Sequence, residues 1–195
     1  MKNHFSSVIM GFACIAIITA CNSTNAGSST GDSPMIDSAS VDTTKSNSGV
    51  SVGGVMMLPS KSIFQNVESS KDHTTFVAAV KQAEFVETLS EPGPFTVFAP
   101  TNEAFGKIPK NDLDNLMKPR MHLDLTKFLT YHIVSGILKV ADLKDGQEIT
   151  TVQGDKLKVT VKNGKVMIND ANVTIADVVS NNGIIQVIDA VLIPN

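Results

Sequence analysis

Around Asn163-Gly164 the chain commits itself to a β-hairpin. Leu157, Val159 and Val161 alternate with Lys156, Lys158 and Lys162 before the dipeptide, and Val166 and Ile168 resume the period of two after it. Alternation sends successive side chains to opposite faces of a strand. Asn and Gly both tolerate the positive φ of a type I′ turn, so the two runs must double back on each other. Two further runs, VTIADVV from Val173 and GIIQVIDAVLI from Gly183, are β-branched and bounded by Asn181-Asn182-Gly183 and Pro194. The C-terminal half is therefore expected to form a mostly antiparallel sheet.

The preceding part has a different period. In DHTTFVAAVKQAEFVETL, the residues Phe76, Ala79, Val80, Ala83 and Val86 recur at helical spacing, with Asp72 or Thr74 placed to cap the start. The stretch PGPFTVFAPTNEAFGKIP (92–109) sets Phe95, Thr96, Val97 and Phe98 before Pro100 and at once offers Thr101 and Asn102 as caps. It predicts a buried strand over 95–99 that puts Phe95 and Phe98 into the core. Pro100, lacking an N–H, is expected to end the pairing, and the chain to restart as a helix at Asn102 with Glu103 in the favourable first turn. Short helices are expected over 112–117 and 124–132, parted by Pro119. Helices early and strands late make an α+β fold with one core, built from Phe and aliphatic residues because the chain has nine Phe, one Tyr and no Trp.

The N-terminus stands apart from that core. Lys2 and His4 precede an apolar run over 8–18, which is shorter than a membrane-spanning helix needs and reads as a secretory signal. The residues Ile18, Thr19, Ala20 and Cys21 resemble the lipobox of bacterial lipoproteins, in which the Cys is lipidated and becomes the mature N-terminus. Cys14 would leave with the signal, so Cys21 would otherwise be an unpaired thiol in an oxidising compartment. Asn22 stands where Asp would favour inner-membrane retention, and by that resemblance the outer membrane is expected. Over 22–49, 18 of 28 residues are Ser, Thr, Asn or Gly, a composition that cannot offset its chain entropy by burial. The organisation read from these features is a lipoprotein signal peptide over 1–20, a tether over 21–50 starting at lipidated Cys21, and one folded domain over 51–195.

Chemistry-bearing motifs are sparse. The formal net charge is −3, Arg120 is the single arginine, and no long basic stripe occurs, so nucleic acid is excluded as the expected partner. His73, His122 and His132 are scattered, and Asp142, Asp145 and Gly146 lack the later ligands of a calcium loop, so no metal site is expected. Asp112 and Asp114 sit at a helix start where the dipole favours them. No nucleophile elbow, P-loop or dinucleotide fingerprint occurs, and neither a catalytic residue nor a cofactor is expected. Tyr131-His132 is the most suggestive polar pair. In one reading Tyr131 packs at a helix end while His132 hydrogen-bonds a neighbouring loop; in the other the pair belongs to a partner-binding face.

Three separate motifs carry a resemblance to the fasciclin domain. FTVFAPTNEAF (95–105) resembles that family's first signature box, Tyr131-His132 its Tyr-His pair, and NGIIQVIDAVLIP (182–194) its second box, which includes Asn182, Gly183, Asp189 and Pro194. Gln186 stands where many members carry His. The resemblance covers about residues 58–195 and implies a single compact fasciclin-like domain, a wedge of β-sheet with several helices packed early in the chain. It also implies use outside the cell in adhesion or partner binding, without general catalysis. The function expected is thus a non-enzymatic, lipid-anchored interaction module of the bacterial cell envelope that meets a cell-surface or matrix protein, or a polysaccharide. The alternative is an envelope small-ligand carrier or hydrolase whose site is assembled from dispersed residues, which a deep apolar pocket with convergent polar groups would favour.

Overall fold

The computed structural model describes residues 48–194. The expected signal peptide, Cys21 and nearly all of the tether lie outside the described residues. The first strands, β1 (Val50–Val52) and β2 (Val55–Met57), form a small hairpin of their own. The remaining strands are β3 (Phe95–Pro100), β4 (Ile133–Ser135), β5 (Glu148–Thr150), β6 (Lys156–Lys162), β7 (Lys165–Ile168), β8 (Ala171–Ser180) and β9 (Gly183–Ile188). They make one seven-stranded sheet in the order β4-β3-β9-β8-β7-β6-β5. Every neighbouring pair is antiparallel except β3 and β9, which run parallel from Phe95 opposite Gly183 to Pro100 opposite Ile188. The α+β reading and the mostly antiparallel sheet are what the structure has. The hairpin forms where the alternation placed it, with Asn163 at φ 51° and Gly164 at φ 75° and Lys162 paired with Lys165.

Parallel strands at the centre of a sheet are covered on both faces and so lose the polar alternation of surface strands. This explains the mostly apolar runs of β3 and β9, in which the polar Thr96 and Gln186 are themselves buried. Val97, Ala99, Ile185 and Val187 face a core shared with the helices, whereas Phe98 and Ile188 face a second cluster with Tyr131, Leu157, Val159 and Ile168. The helices are α1 (Ile63–Ser69), α2 (Thr74–Gln82), α3 (Asn102–Gly106), α4 (Lys110–Leu116) and α5 (His122–Tyr131).

Three local expectations need correction. Helix α2 ends at Gln82 and does not reach Val86, because Glu84 takes a left-handed conformation at φ 52°. The Phe85 N–H then bonds Val80 O at 2.9 Å and the Glu84 N–H bonds Lys81 O at 3.1 Å, a Schellman stop built without glycine. Pro100 does not end β3. N–H directions alternate along a strand, so Phe98 donates away from β9, to His132 O at 2.9 Å, and Thr101 donates toward it, to Ile188 O at 3.2 Å. Pro100 falls on the Phe98 side, past the start of β4, and forfeits no ladder bond there. Asn102, finally, is not the cap of α3. Thr101 is, its Oγ1 accepting from the Ala104 N–H at 3.2 Å. The Asn102 Oδ1 accepts instead from the Thr75 N–H at 3.0 Å, and its Nδ2 donates to Lys71 O at 2.9 Å. It thereby caps α2, the role expected of Asp72 or Thr74.

Asn182 and Gly183 join the helical layer to the central strands. The Asn182 Oδ1 accepts from the first N–H of α1, at Ile63, at 2.9 Å, while its Nδ2 donates to Leu89 O at 2.9 Å and Glu91 O at 3.0 Å. A Cβ on Gly183 would lie 1.9 Å from Phe95 O, so only glycine lets β9 begin against β3. Gln186 is fully buried, donating to Leu138 O and Asp177 Oδ1 and accepting from the Asp177 N–H. Two donors and one acceptor suit an amide, where a neutral imidazole offers one of each.

Truncating Phe98, which has no exposure, is expected to open a cavity and cost about 3–5 kcal/mol, against about 0.5–2 kcal/mol for removing the Thr101 cap. Denaturant titration of Phe98→Ala and Thr101→Ala reads the order directly. A Phe98→Ala midpoint equal to the parent's would contradict the placement of β3.

Candidate functional site

Because β3 and β9 are parallel, their C-terminal ends leave the sheet on the same side. β3 continues into α3 and β9 into the terminal segment over 189–194. Between these continuations lies an open groove of about 680 Å³. The buried Ala104 of α3 and Phe128 of α5 line it, together with Ile108, Leu113 and Leu116 around α4 and with Val191 and Ile193 of the terminal segment. Its charged members, Lys107, Asp112, Asp124 and Lys127, are exposed and balance in sign. Gln153 approaches from the turn before β6. Helix α4 has no buried residue; Leu113 and Leu116, one turn apart, are the apolar stripe of an otherwise polar helix and turn toward the groove.

His132 fixes the two sides of this groove to each other. Its Nδ1 bonds Phe128 O at 2.8 Å, and its Nε2 meets the Leu192 N–H at 3.1 Å. A backbone N–H can only donate, so Nε2 must be the acceptor and Nδ1 must carry the proton. The ring is fully buried, with the Phe128 ring 4.7 Å away and that of Phe76 at 6.5 Å. Burial drives the His132 pKa down to about 4, opposed by the Phe128 carbonyl. His73 is buried as well, and burial lowers its pKa against the pull of the neighbouring Asp72 carboxylate and the Ala99 backbone.

Tyr131 is 1% exposed, its ring in the second core cluster and its hydroxyl accepting from Asn169 Nδ2 at 3.2 Å. Both side chains of the Tyr131-His132 pair are thus buried, so a partner-binding face at this place would be made by the neighbourhood of the pair. His132 sits beneath the groove and positions its walls. Asp189 accepts from the Asn172 N–H and Nδ2, both at 2.8 Å, and its backbone oxygen accepts from Lys107 Nζ at 2.7 Å. Burial pushes the Asp189 carboxyl up, but the Asn172 hydrogen bonds and the Lys107 charge outweigh it and leave it below the usual range. Pro194 lines the groove, while Phe95, Phe98, Pro100, Asn102, Asn182 and Gly183 are parts of the scaffold. The groove residues Ile108, Leu113, Leu116, Phe128, Gln153, Val191 and Ile193 were not singled out in the sequence. The one local sign was the spacing of Leu113 and Leu116 in a polar helix. Among the described residues, no three His, Cys, Asp or Glu side chains are grouped to hold a metal ion, and no helix is long and apolar enough to cross a membrane.

A buried neutral His loses stability on acidification, because below its unfolded pKa the unfolded chain binds a proton that the folded chain does not. Stability is thus expected to fall between about pH 6.5 and about pH 4, with His132 contributing roughly 3 kcal/mol and His73 acting in the same direction. Urea midpoints measured against pH for the parent and for His132→Gln read this contribution. Parallel profiles would contradict it.

The chain's relatives agree with this architecture. The Fasciclin domain model matches residues 71–194. Protein sll1483 of Synechocystis is 40% identical over 161 residues, covering 83% of this chain and 88% of that one. Transforming growth factor-beta-induced protein ig-h3 of Oryctolagus cuniculus is 34% identical over 136 residues, covering 70% of this chain but 20% of the relative. Among solved structures, the FAS1 domain pair of the insect cell adhesion molecule Fasciclin I superposes with a TM-score of 0.63 at 21% identity, covering 72% of this chain and 53% of that one. With its mixed sheet, its helical layer and these matches, the chain belongs to the fasciclin domain family.

Proposed function

We propose that this protein is a non-enzymatic interaction module of the bacterial cell envelope. Cys21, preceded by the lipobox residues Ile18, Thr19 and Ala20, carries the lipid anchor that holds the domain at the outer membrane. The Ser-, Thr-, Asn- and Gly-rich segment over 21–50 serves as the tether between that anchor and the domain over 51–195. There the domain meets a protein or polysaccharide partner and leaves it chemically unchanged. The observation that carries this reading is the groove, whose apolar base and exposed charged edge have the make-up of a recognition hot spot within a polar rim. Hydrolysis would call for a nucleophile beside a base, whereas the groove is lined by apolar side chains with Lys, Asp and Gln, and both His73 and His132 lie inside the fold. The name of the structural relative, a cell adhesion molecule, points the same way.

A single contact of this size is weak, and many anchored copies compensate by raising the effective concentration of each further contact. Beads carrying the protein are expected to bind cells, matrix proteins or polysaccharides far better than the free protein does. Leu113→Arg is expected to abolish that binding with an unchanged circular dichroism spectrum. Turnover of an envelope polymer by the purified protein, or equal failure of beads and free protein on all three surfaces, would overturn the reading. The anchor is tested separately: Cys21→Ala should move the protein to the soluble fraction, and a variant still membrane-bound after a carbonate wash would refute it.

A further inference from the structure

Gln153 makes the groove more than an apolar cleft. Its Nε2 donates to Asp155 Oδ2 at 3.0 Å, while its Oε1 is buried without a hydrogen-bond partner among the described residues. A buried acceptor left unpaired is costly, and native proteins keep few of them. The side chain lines the groove, so turning its amide toward the opening would let a donor on a bound molecule satisfy the oxygen. The other constraints are size and charge. About 680 Å³ suits a small organic molecule, and edge charges balanced between Lys107 and Lys127 on one hand and Asp112 and Asp124 on the other favour a neutral one.

The geometry points to a ligand class for this groove: a small, neutral, apolar body carrying one N–H or O–H donor, which Gln153 Oε1 accepts while Leu113, Phe128 and Val191 enclose the body. This rests on the groove being the recognition site, and it names the chemistry of the group recognised there.

N-Phenyl-1-naphthylamine has these properties, and its fluorescence rises in apolar surroundings. Titrated into the purified protein, it is expected to bind saturably at one site per chain. Leu113→Arg, or Ile193→Asp should the first variant fail to fold, is expected to weaken binding at least about tenfold. The N-methylated probe, which has lost the donor, is expected to bind the parent about tenfold more weakly and to match the parent probe on Gln153→Leu. Absence of saturable binding would overturn the ligand class, and binding untouched by both groove variants would overturn the site. Equal affinity of the two probes for the parent protein would overturn the role of Gln153. Loss of cell binding by Leu113→Arg without any probe binding would keep the groove as the recognition surface and overturn the ligand class.

Discussion

The parallel pairing of β3 with β9 is the constraint from which the rest of the structure follows. Antiparallel neighbours can be joined by a tight turn, but a parallel pair needs a long crossover, and here everything from α3 to β8 lies between the two strands. The pairing begins where Gly183 packs without a side chain against Phe95 O and where Asn182 O accepts the Phe95 N–H at 3.1 Å. Through its side chain, the same Asn182 holds the start of α1 and the turn at Leu89. One short dipeptide thus sets the register of the central strands and the seat of the helical layer.

The groove is a consequence of the same pairing. Strands that run together end together, so α3 and the terminal segment are delivered to one side of the sheet. His132 then ties that segment to α5 through Leu192. A neutral, fully buried imidazole is an expensive tie in acid, yet it offers one donor and one acceptor on opposite sides of a rigid ring. That geometry spans a helix carbonyl and a backbone N–H that would otherwise be left unpaired.

What the sequence made legible was local chemistry. Asn163-Gly164 dictates its own turn, and the apolar runs of β3 and β9 announce buried strands whatever surrounds them. Residues whose role depends on distant neighbours were read less well. Pro100 looked like a terminator because the direction of its missing N–H matters only once β4 is known to stop short of it. Asn102 looked like the cap of its own helix, but the backbone N–H it accepts from, that of Thr75, belongs to α2, 27 residues earlier. Glu84 ends α2 without the glycine that usually marks such a stop. Tyr131 and His132 close an amphipathic helix, and nothing within that helix tells that the last residues of the chain fold over them. The groove was hidden for the same reason, since α3, α4, α5, the turn at Gln153 and the terminal segment each bring only a few of its residues.

The groove requires the terminal segment to be a fixed wall, held by His132 through Leu192, and not a frayed end. Native-state hydrogen exchange at the Leu192 amide measures this directly. At neutral pH that amide is expected to be protected to the same degree as the amides of β9 and to lose its protection only when the whole domain opens. Exchange of Leu192 at the rate of an unstructured peptide, while β9 stays protected, would contradict it.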